Sequence, residues 1–308
     1  MTWWLALAAL AAILAAPWLI EMMRKRSDPV ALAAADGEFA VLSHGATYYR
    51  WFGAGHGPVL VMIHGLLTPS WVFTGLTGGL NMLGFRVLTY DLYGRGLSAR
   101  PKLPHDRALF TTQLAELLAS QKIDAPVTLL GYSMGGAIAS VFAATYPQRV
   151  ARLILLAPAG MDYHPAPLLA RAARTGLFGD WLWAMRGGPF LRKNARASAS
   201  QPTTIPDLEA RIARESATRG YLPAILSSER NMLAERHEAE HRAIAAAGLP
   251  VTAIWGEQDG TIPLSAMGKL PQWTRNAYQY VIPGATHALC HTHPQEILTA
   301  LEEHLREV

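Results

Sequence analysis

The segment GYSMG at residues 131–135 is the part of the chain best suited to do chemistry. It follows an apolar run at 127–130 and precedes an alanine-rich, helix-like stretch at 137–146. A tight strand-to-helix turn needs small neighbours around its central residue, and the N-terminus of the following helix directs backbone amides toward the site. The segment therefore predicts that Ser133 is a nucleophile held on such a turn.

A serine hydroxyl is a weak nucleophile unless a base takes its proton and a carboxylate orients that base. Two carboxylates, Glu257 and Asp259, lie in the loop that leaves a strand-like run at 249–255. A later strand-like run at 278–282 leads to His287. We expect His287 to be the base, with one of the two carboxylates as its partner.

Two more histidines, His291 and His293, lie close to His287 in the sequence. Their position just ahead of Pro294 is typical of a solvated loop or the first turn of a helix. Neither is predicted to act as the base.

Acyl transfer also needs two amide donors for the negative oxygen of its intermediate. Met134, directly after the nucleophile, is predicted to supply one amide, and Leu66 the second, because Leu66 lies in the loop after the strand-like run 59–63. His64, at the start of this loop, is predicted to have a structural role.

Five segments, taken in order, resemble the α/β-hydrolase superfamily in the branch that carries a helical cap. They are HG at 64–65, DLYGRGLS at 91–98, GYSMG at 131–135, WGEQD at 255–259 and GATH at 284–287. The resemblance implies an α/β fold with a mainly parallel central sheet, helices on both faces and an inserted helical cap. The alternation of strand-like and helix-like runs over 59–157 predicts the same kind of sheet.

The resemblance also selects between the two carboxylates, because it places the acid at Asp259. It gives Asp91 a structural role. Many members of the superfamily have a second glycine where this chain has Ala285 and Thr286. This difference affects the expected geometry of the loop and leaves the assignment of His287 as the base unchanged. A serine at position 133 disfavours the dehalogenase and epoxide-hydrolase branches, which by resemblance use an aspartate nucleophile.

The chain divides into five predicted segments, on the basis of composition and strand rhythm. These are a transmembrane anchor at 1–23, a linker at 24–38, the first part of the hydrolase core at 39–160, a helical cap at 161–248 and the second part of the core at 249–308.

The first segment has no charge from residue 2 to residue 20, and about 20 helical residues are enough to cross a bilayer. Tryptophans at both ends suit the two membrane interfaces, and the basic cluster 24–26 predicts a cytoplasmic catalytic domain. The alternative is a cleaved signal peptide and an exported or periplasmic protein, but no basic residue precedes the apolar run.

The predicted cap interleaves cations with aromatic and aliphatic residues over 171–196. Such a mixture is typical of a surface that lies on anionic lipid. Equally, tryptophans such as Trp181 and Trp183 can line an acyl pocket or pack on the core while the arginines are solvated. Both interpretations stay open from the sequence.

Composition excludes several function classes. The single cysteine, Cys290, cannot form an intramolecular disulfide and fits no zinc spacing, so no metal site is predicted. No nucleotide-binding glycine motif is present, so no cofactor is expected. A net charge of +4 is too mild to indicate nucleic acid as a partner.

The sequence therefore predicts a serine hydrolase that cleaves carboxylic esters, lipid-like or of medium chain length, through an acyl-enzyme on Ser133. The same set of groups also serves carbon–carbon bond hydrolases, amidases or iminopeptidases, and perhydrolases. A non-catalytic ligand receptor on this scaffold is the remaining alternative. The oligomeric state cannot be inferred from the sequence.

Overall fold

A computed structural model describes residues 2–26, 32, 35–53, 55–199 and 201–306. Within these residues, eight strands form one sheet. The strands are β1 (Glu38–Leu42), β2 (Gly45–Phe52), β3 (Val59–Ile63), β4 (Arg86–Tyr90), β5 (Val127–Tyr132), β6 (Val150–Leu156), β7 (Val251–Gly256) and β8 (Tyr278–Ile282).

The strand order across the sheet is β1-β2-β4-β3-β5-β6-β7-β8. β1 and β2 form an antiparallel hairpin, and β2 also pairs antiparallel with β4. All other neighbours are parallel. The order reverses direction around β3, so the carboxyl ends of β3 and β5 open onto the kind of crevice where open α/β sheets bind ligands.

Helices cover the sheet and form the insertion between β6 and β7. The helices outside the insertion are α1 (Thr2–Met23), α2 (Thr74–Met82), α3 (Arg107–Ser120), α4 (Met134–Thr145), α10 (Ser265–Trp273), α11 (Leu289–Thr292) and α12 (Pro294–Arg306). The insertion, here called the cap, carries α5 (Pro167–Arg174), α6 (Gly176–Ala199), α7 (Leu208–Ala217), α8 (Tyr221–Arg230) and α9 (Glu238–Ala246). The predicted fold class, an α/β-hydrolase fold with a mainly parallel sheet and a helical insertion, is confirmed.

The central strands are buried on both faces, as parallel sheets require. All six residues of β5 and all six of β7 are buried. α4 packs directly behind the sheet, and ten of its residues are buried. This buried centre gives the residues at the ends of β5 and β7 a rigid support.

Local signals set element boundaries. The Asp106 carboxylate accepts a hydrogen bond from the Leu109 amide at 2.9 Å and caps α3. After β3, the chain forms a 3₁₀ turn at Ser70–Phe73 that is followed by α2. The turn redirects the chain where the Ser70 amide and hydroxyl both bond to Asp91.

α1 is apolar and exposed along most of its length. Of the described residues, only its stretch Trp3–Met23 is long and apolar enough to cross a membrane. The C-terminal end of α1 contacts the cap, where the Glu21 carboxylate accepts a 2.5 Å hydrogen bond from the Gly220 amide. The predicted linker at 24–38 lies partly outside the described residues.

Candidate active site

Ser133 occupies a strained turn between β5 and α4. Its backbone has φ 55° and ψ −118°, a conformation that L residues rarely adopt. Gly135 allows the turn to pack against β3, since a Cβ there would lie 1.9 Å from the Ile63 carbonyl oxygen. The glycines of the GYSMG segment are therefore a steric requirement of the turn.

The structure brings Ser133, His287 and Asp259 together from three different loops. Ser133 Oγ lies 2.9 Å from His287 Nε2, and His287 Nδ1 lies 2.7 Å from Asp259 Oδ2. The carboxylate accepts the Nδ1 proton, which leaves Nε2 unprotonated and able to accept the proton of the serine hydroxyl. The geometry is that of a nucleophile, a general base and an orienting acid.

Asp259 is buried and rigidly held. Its Oδ1 atom accepts hydrogen bonds from the Thr261 and Ile262 amides, each at 2.8 Å, which leaves Oδ2 facing the imidazole. The competing carboxylate, Glu257, is exposed and caps the Gly284 amide at 2.7 Å instead. Asp259 therefore contacts the imidazole, whereas Glu257 bonds to the loop backbone.

His287 is held from below by Tyr132, the residue before the nucleophile. The Tyr132 hydroxyl donates a 2.6 Å hydrogen bond to the His287 carbonyl, and the two rings stack with centroids 5.5 Å apart. The neighbouring histidines point elsewhere, since His291 bonds to Thr203 and His293 to Thr292. Sequence reasoning missed the role of Tyr132.

The two predicted oxyanion donors lie beside Ser133. Met134 directly follows it, and Leu66 directly follows Gly65, where an added Cβ would lie 3.2 Å from the Ser133 Cβ. Within the described residues, neither the Leu66 nor the Met134 amide donates a hydrogen bond to another protein group. Both amides are therefore available to a negatively charged oxygen.

Comparison with known proteins agrees with this architecture. The family model described as alpha/beta hydrolase fold matches residues 58–294. The chain belongs to the α/β-hydrolase fold family. The pimeloyl-acyl-carrier-protein methyl ester esterase of Chromobacterium violaceum is 30% identical over 257 residues, covering 82% of this chain and 95% of that protein.

Two solved structures of α/β-hydrolase-like shape are similar over nearly the whole chain. An enol-lactonase from Burkholderia xenovorans LB400 has a TM-score of 0.70 at 23% identity, covering 87% of this chain and 100% of that one. A membrane phospholipase A, described as a bacterial virulence factor, has a TM-score of 0.71 at 21% identity, covering 98% of this chain and 95% of that one. At these identities the likeness is one of fold.

Three buried side chains hold the backbone of the loop after β3 at residues 64–67, here called the oxyanion loop because it carries the predicted donor Leu66. His64 Nε2 accepts the Leu92 amide at 2.8 Å, so His64 Nδ1 carries the proton and donates to the Gly65 carbonyl at 2.8 Å. Burial lowers the pKa of His64 to about 3, which keeps the ring neutral. His64 is structural, as the sequence predicts.

Arg95 and Tyr221 complete the support of this loop, and the sequence reasoning did not identify either. The Arg95 guanidinium donates to the Leu66 carbonyl at 3.2 Å and to Ser228 of α8 at 2.7 Å. The Tyr221 hydroxyl donates to the Leu67 carbonyl at 2.6 Å. Arg95 lies in the conspicuous 91–98 segment, whereas no local signal marks Tyr221, which comes from the cap.

The remaining polar groups near the site have structural roles. Asp91 is buried and accepts from Ser70 and from the Leu97 amide at 2.9 Å. Cys290 is fully buried, and burial raises the pKa of its thiol, so it stays protonated. Among the described residues, no group of three or more histidine, cysteine, aspartate or glutamate side chains is arranged to hold a metal ion.

Proposed function

We propose that this α/β hydrolase cleaves carboxylic esters with lipid-like or medium-chain acyl groups, through an acyl-enzyme on Ser133. The observation that carries the proposal is the hydrogen-bonded series from Ser133 Oγ through His287 to Asp259, with distances of 2.9 and 2.7 Å. The Chromobacterium violaceum relative is named as a methyl ester esterase, which favours an ester over other acyl substrates.

In the proposed reaction, Ser133 Oγ attacks the ester carbonyl while His287 Nε2 takes its proton. The Leu66 and Met134 amides stabilise the negative oxygen of the tetrahedral intermediate. His287 then protonates the leaving alcohol, and Asp259 stabilises the imidazolium. Water, activated by the same histidine, releases the acid and restores Ser133.

A lipid-like substrate is favoured by the position of the site in the molecule. The cap contacts α1, the helix long enough to span a membrane, at both Gly220 and Trp181. A single-pass anchor would therefore hold the cap against the bilayer, where esters with long acyl chains are concentrated. The domain division with a cap at 161–248 is part of this proposal.

The experiment is a substrate panel run on the full chain and on Ser133→Ala. It compares p-nitrophenyl esters of increasing chain length, a monoacylglycerol, a methyl ester and an amide. We expect ester turnover that rises with acyl length and is abolished in the variant. Faster cleavage of the amide would instead favour an amidase, and turnover that survives in Ser133→Ala would exclude the proposed nucleophile.

We further propose that α1 is retained as a membrane anchor with the catalytic domain in the cytoplasm. Arg24, Lys25 and Arg26 directly follow the apolar helix, as the positive-inside rule requires. The contacts of α1 with the cap favour a retained helix over a cleaved signal peptide. Protease treatment of intact spheroplasts tests the orientation, since digestion of the catalytic domain from outside would contradict it.

A further inference from the structure

The N-terminal corner of α6 exposes large apolar side chains. Leu177 is 87% exposed and Phe178 is 60% exposed. The Phe178 ring stacks on Trp181, with centroids 6.4 Å apart. These three residues, here called the α6 corner, are flanked by the exposed cations Arg171 and Arg174 at the end of α5. Apolar tips beside cations suit a lipid surface of negative charge.

The α6 corner is joined to α1 by a specific hydrogen bond. Pro17 lies inside α1 and has no amide hydrogen, so the Ile13 carbonyl loses its normal helical donor four residues ahead. The Trp181 indole Nε1 donates to this same Ile13 carbonyl at 2.8 Å. In hydrocarbon, where no water can replace the missing donor, an unsatisfied carbonyl is strongly unfavourable, and the Trp181 indole removes this cost.

Further contacts set the register between α1 and the cap. At the C-terminal end of α1, Glu21 accepts from Gly220, and the Lys25 carbonyl accepts the Arg219 amide at 2.7 Å. Ile13 lies eight residues before Glu21, which corresponds to about 12 Å along a helix that rises 1.5 Å per residue. The Trp181 contact is therefore level with the middle of the apolar span rather than with its charged end.

The direction of α6 agrees with this position of Trp181 along α1. A Cβ added at Gly188 would lie 4.0 Å from the Ser216 side chain, close in sequence to the Thr218–Gly220 segment that meets the end of α1. From Gly188 back to Trp181, α6 therefore runs away from the charged end of α1 and alongside its apolar part. Leu177 and Phe178 lie one turn beyond Trp181.

We propose that the α6 corner is a membrane-contact surface, docked on α1 by Trp181 and inserted into an anionic bilayer beside the helix. This inference rests on the proposed anchoring of α1 but not on the ester chemistry. A bilayer that surrounds the middle of α1 must also contact the side chains level with it.

A site-specific probe tests the insertion. The full chain carries Phe178→Cys, labelled with an environment-sensitive nitrobenzoxadiazole, in vesicles of equal parts phosphatidylcholine and phosphatidylglycerol. Met82→Cys is the matched control, because Met82 is 86% exposed and ends α2 at the amino-end edge of the sheet, away from the cap. The unsubstituted chain, with buried Cys290, is the labelling blank.

The expected result is a blue-shifted emission at position 178 that is quenched by doxyl groups on lipid acyl chains, with neither effect at position 82. Equal emission and quenching at the two positions would overturn the proposal. Turnover of a water-soluble ester, measured in parallel, reports on the fold and the catalytic site independently of membrane insertion. An inactive but inserted protein would contradict the proposed function and leave this inference supported.

A double-mutant cycle tests the role of Trp181. Trp181→Phe removes the donor and keeps a ring, whereas Pro17→Ala restores a helical donor to the Ile13 carbonyl. We expect Trp181→Phe to lower the thermal midpoint and reduce the quenching at 178 in the wild-type background. Both losses should shrink in the Pro17→Ala background, and identical losses in both backgrounds would show that the hydrogen bond does not dock the cap.

Discussion

The two carboxylates of one loop, Asp259 and Glu257, have different proposed roles. In the proposed mechanism Asp259 orients His287, so Asp259→Asn should favour the wrong imidazole tautomer and lower kcat by roughly ten-thousand-fold. Glu257→Gln is the matched control, because Glu257 is exposed and bonds only to the Gly284 amide among the described residues. Its kcat should stay within about twofold of wild type. Steady-state kinetics on a soluble ester measures both.

A reversed order of these two effects would show that Glu257 is the working acid. Circular dichroism of both variants checks that each is folded. Because Asp259 is buried and bonded through its other oxygen to two amides, a modest stability loss in Asp259→Asn is expected beside the kinetic one.

The positions of site residues were predictable from the sequence where a strand end fixes them. Ser133 follows β5, Asp259 follows β7, and His287 follows β8, and the carboxyl ends of parallel strands meet at one edge of the sheet. Trp181 and Trp183 show the limit. Trp181 bonds to α1, but Trp183 is buried and bonds to the Leu222 carbonyl at 2.9 Å. The interpretation that the cap tryptophans contact the membrane is therefore wrong for Trp183. Tertiary packing, which the sequence does not specify, decides which face of α6 is covered.

At the scale of elements, the turn between β5 and α4 makes a steric prediction. Gly135→Ala would place a Cβ 1.9 Å from the Ile63 carbonyl, so the turn must shift and esterase activity should fall by at least about a hundredfold. Gly78→Ala in α2 is the control, because its Cβ meets no atom within 4 Å. Replacing an exposed helical glycine should stabilise the protein by about 0.5–1 kcal/mol.

Kinetics and thermal unfolding measure this pair of variants. Full activity in Gly135→Ala would mean that the close packing of the turn on β3 is not needed to position Ser133. The alternation of strands and helices made the turn itself predictable. The support of the oxyanion loop by Tyr221 was not, because that contact joins residues 154 apart and depends on how the cap closes on the core.

At the scale of the whole molecule, buried histidines predict acid sensitivity. Burial lowers the pKa of His64 and His105 to about 3, and of His241 and His291 to about 4. In the unfolded chain these groups take up protons below about pH 6.5. Stability should therefore fall as the pH drops from about 6.5 to about 4, by about 1.4 kcal/mol per pH unit for each histidine. Thermal midpoints at about pH 7.5 and pH 5 measure the loss, and equal midpoints would contradict it.

Glu215 of α7 predicts an opposite, smaller dependence. Burial raises its pKa to about 7, so the folded protein keeps a proton that the unfolded chain releases near pH 4.5. This contribution to stability is lost as the pH rises through 7. Glu215→Gln lacks it, so the gain in thermal midpoint from about pH 5 to pH 7.5 should be larger in the variant than in wild type. An equal or smaller gain would show that the pKa of Glu215 is not raised in the folded protein.

The cap, the core and α1 are tied together by hydrogen bonds between partly buried groups. Glu215 accepts the Gly96 amide at 3.1 Å, Gly220 donates to Glu21 of α1, and Tyr221 bonds to the oxyanion loop. Glu21, near the C-terminal end of α1, therefore bonds to Gly220, the residue directly before Tyr221, which supports the loop beside the candidate active site. With α1 spanning a bilayer, as proposed, these links would hold the candidate active site at a fixed height above the membrane surface.

Active-site labelling tests the central claim most directly. The full chain is treated with a fluorophosphonate, digested, and analysed by mass spectrometry. We expect one label per chain, on the peptide that contains Ser133, with loss of esterase activity in proportion to labelling and no label in Ser133→Ala. Ester turnover that persists while Ser133 is fully labelled, or a label on another residue that abolishes activity, would contradict it.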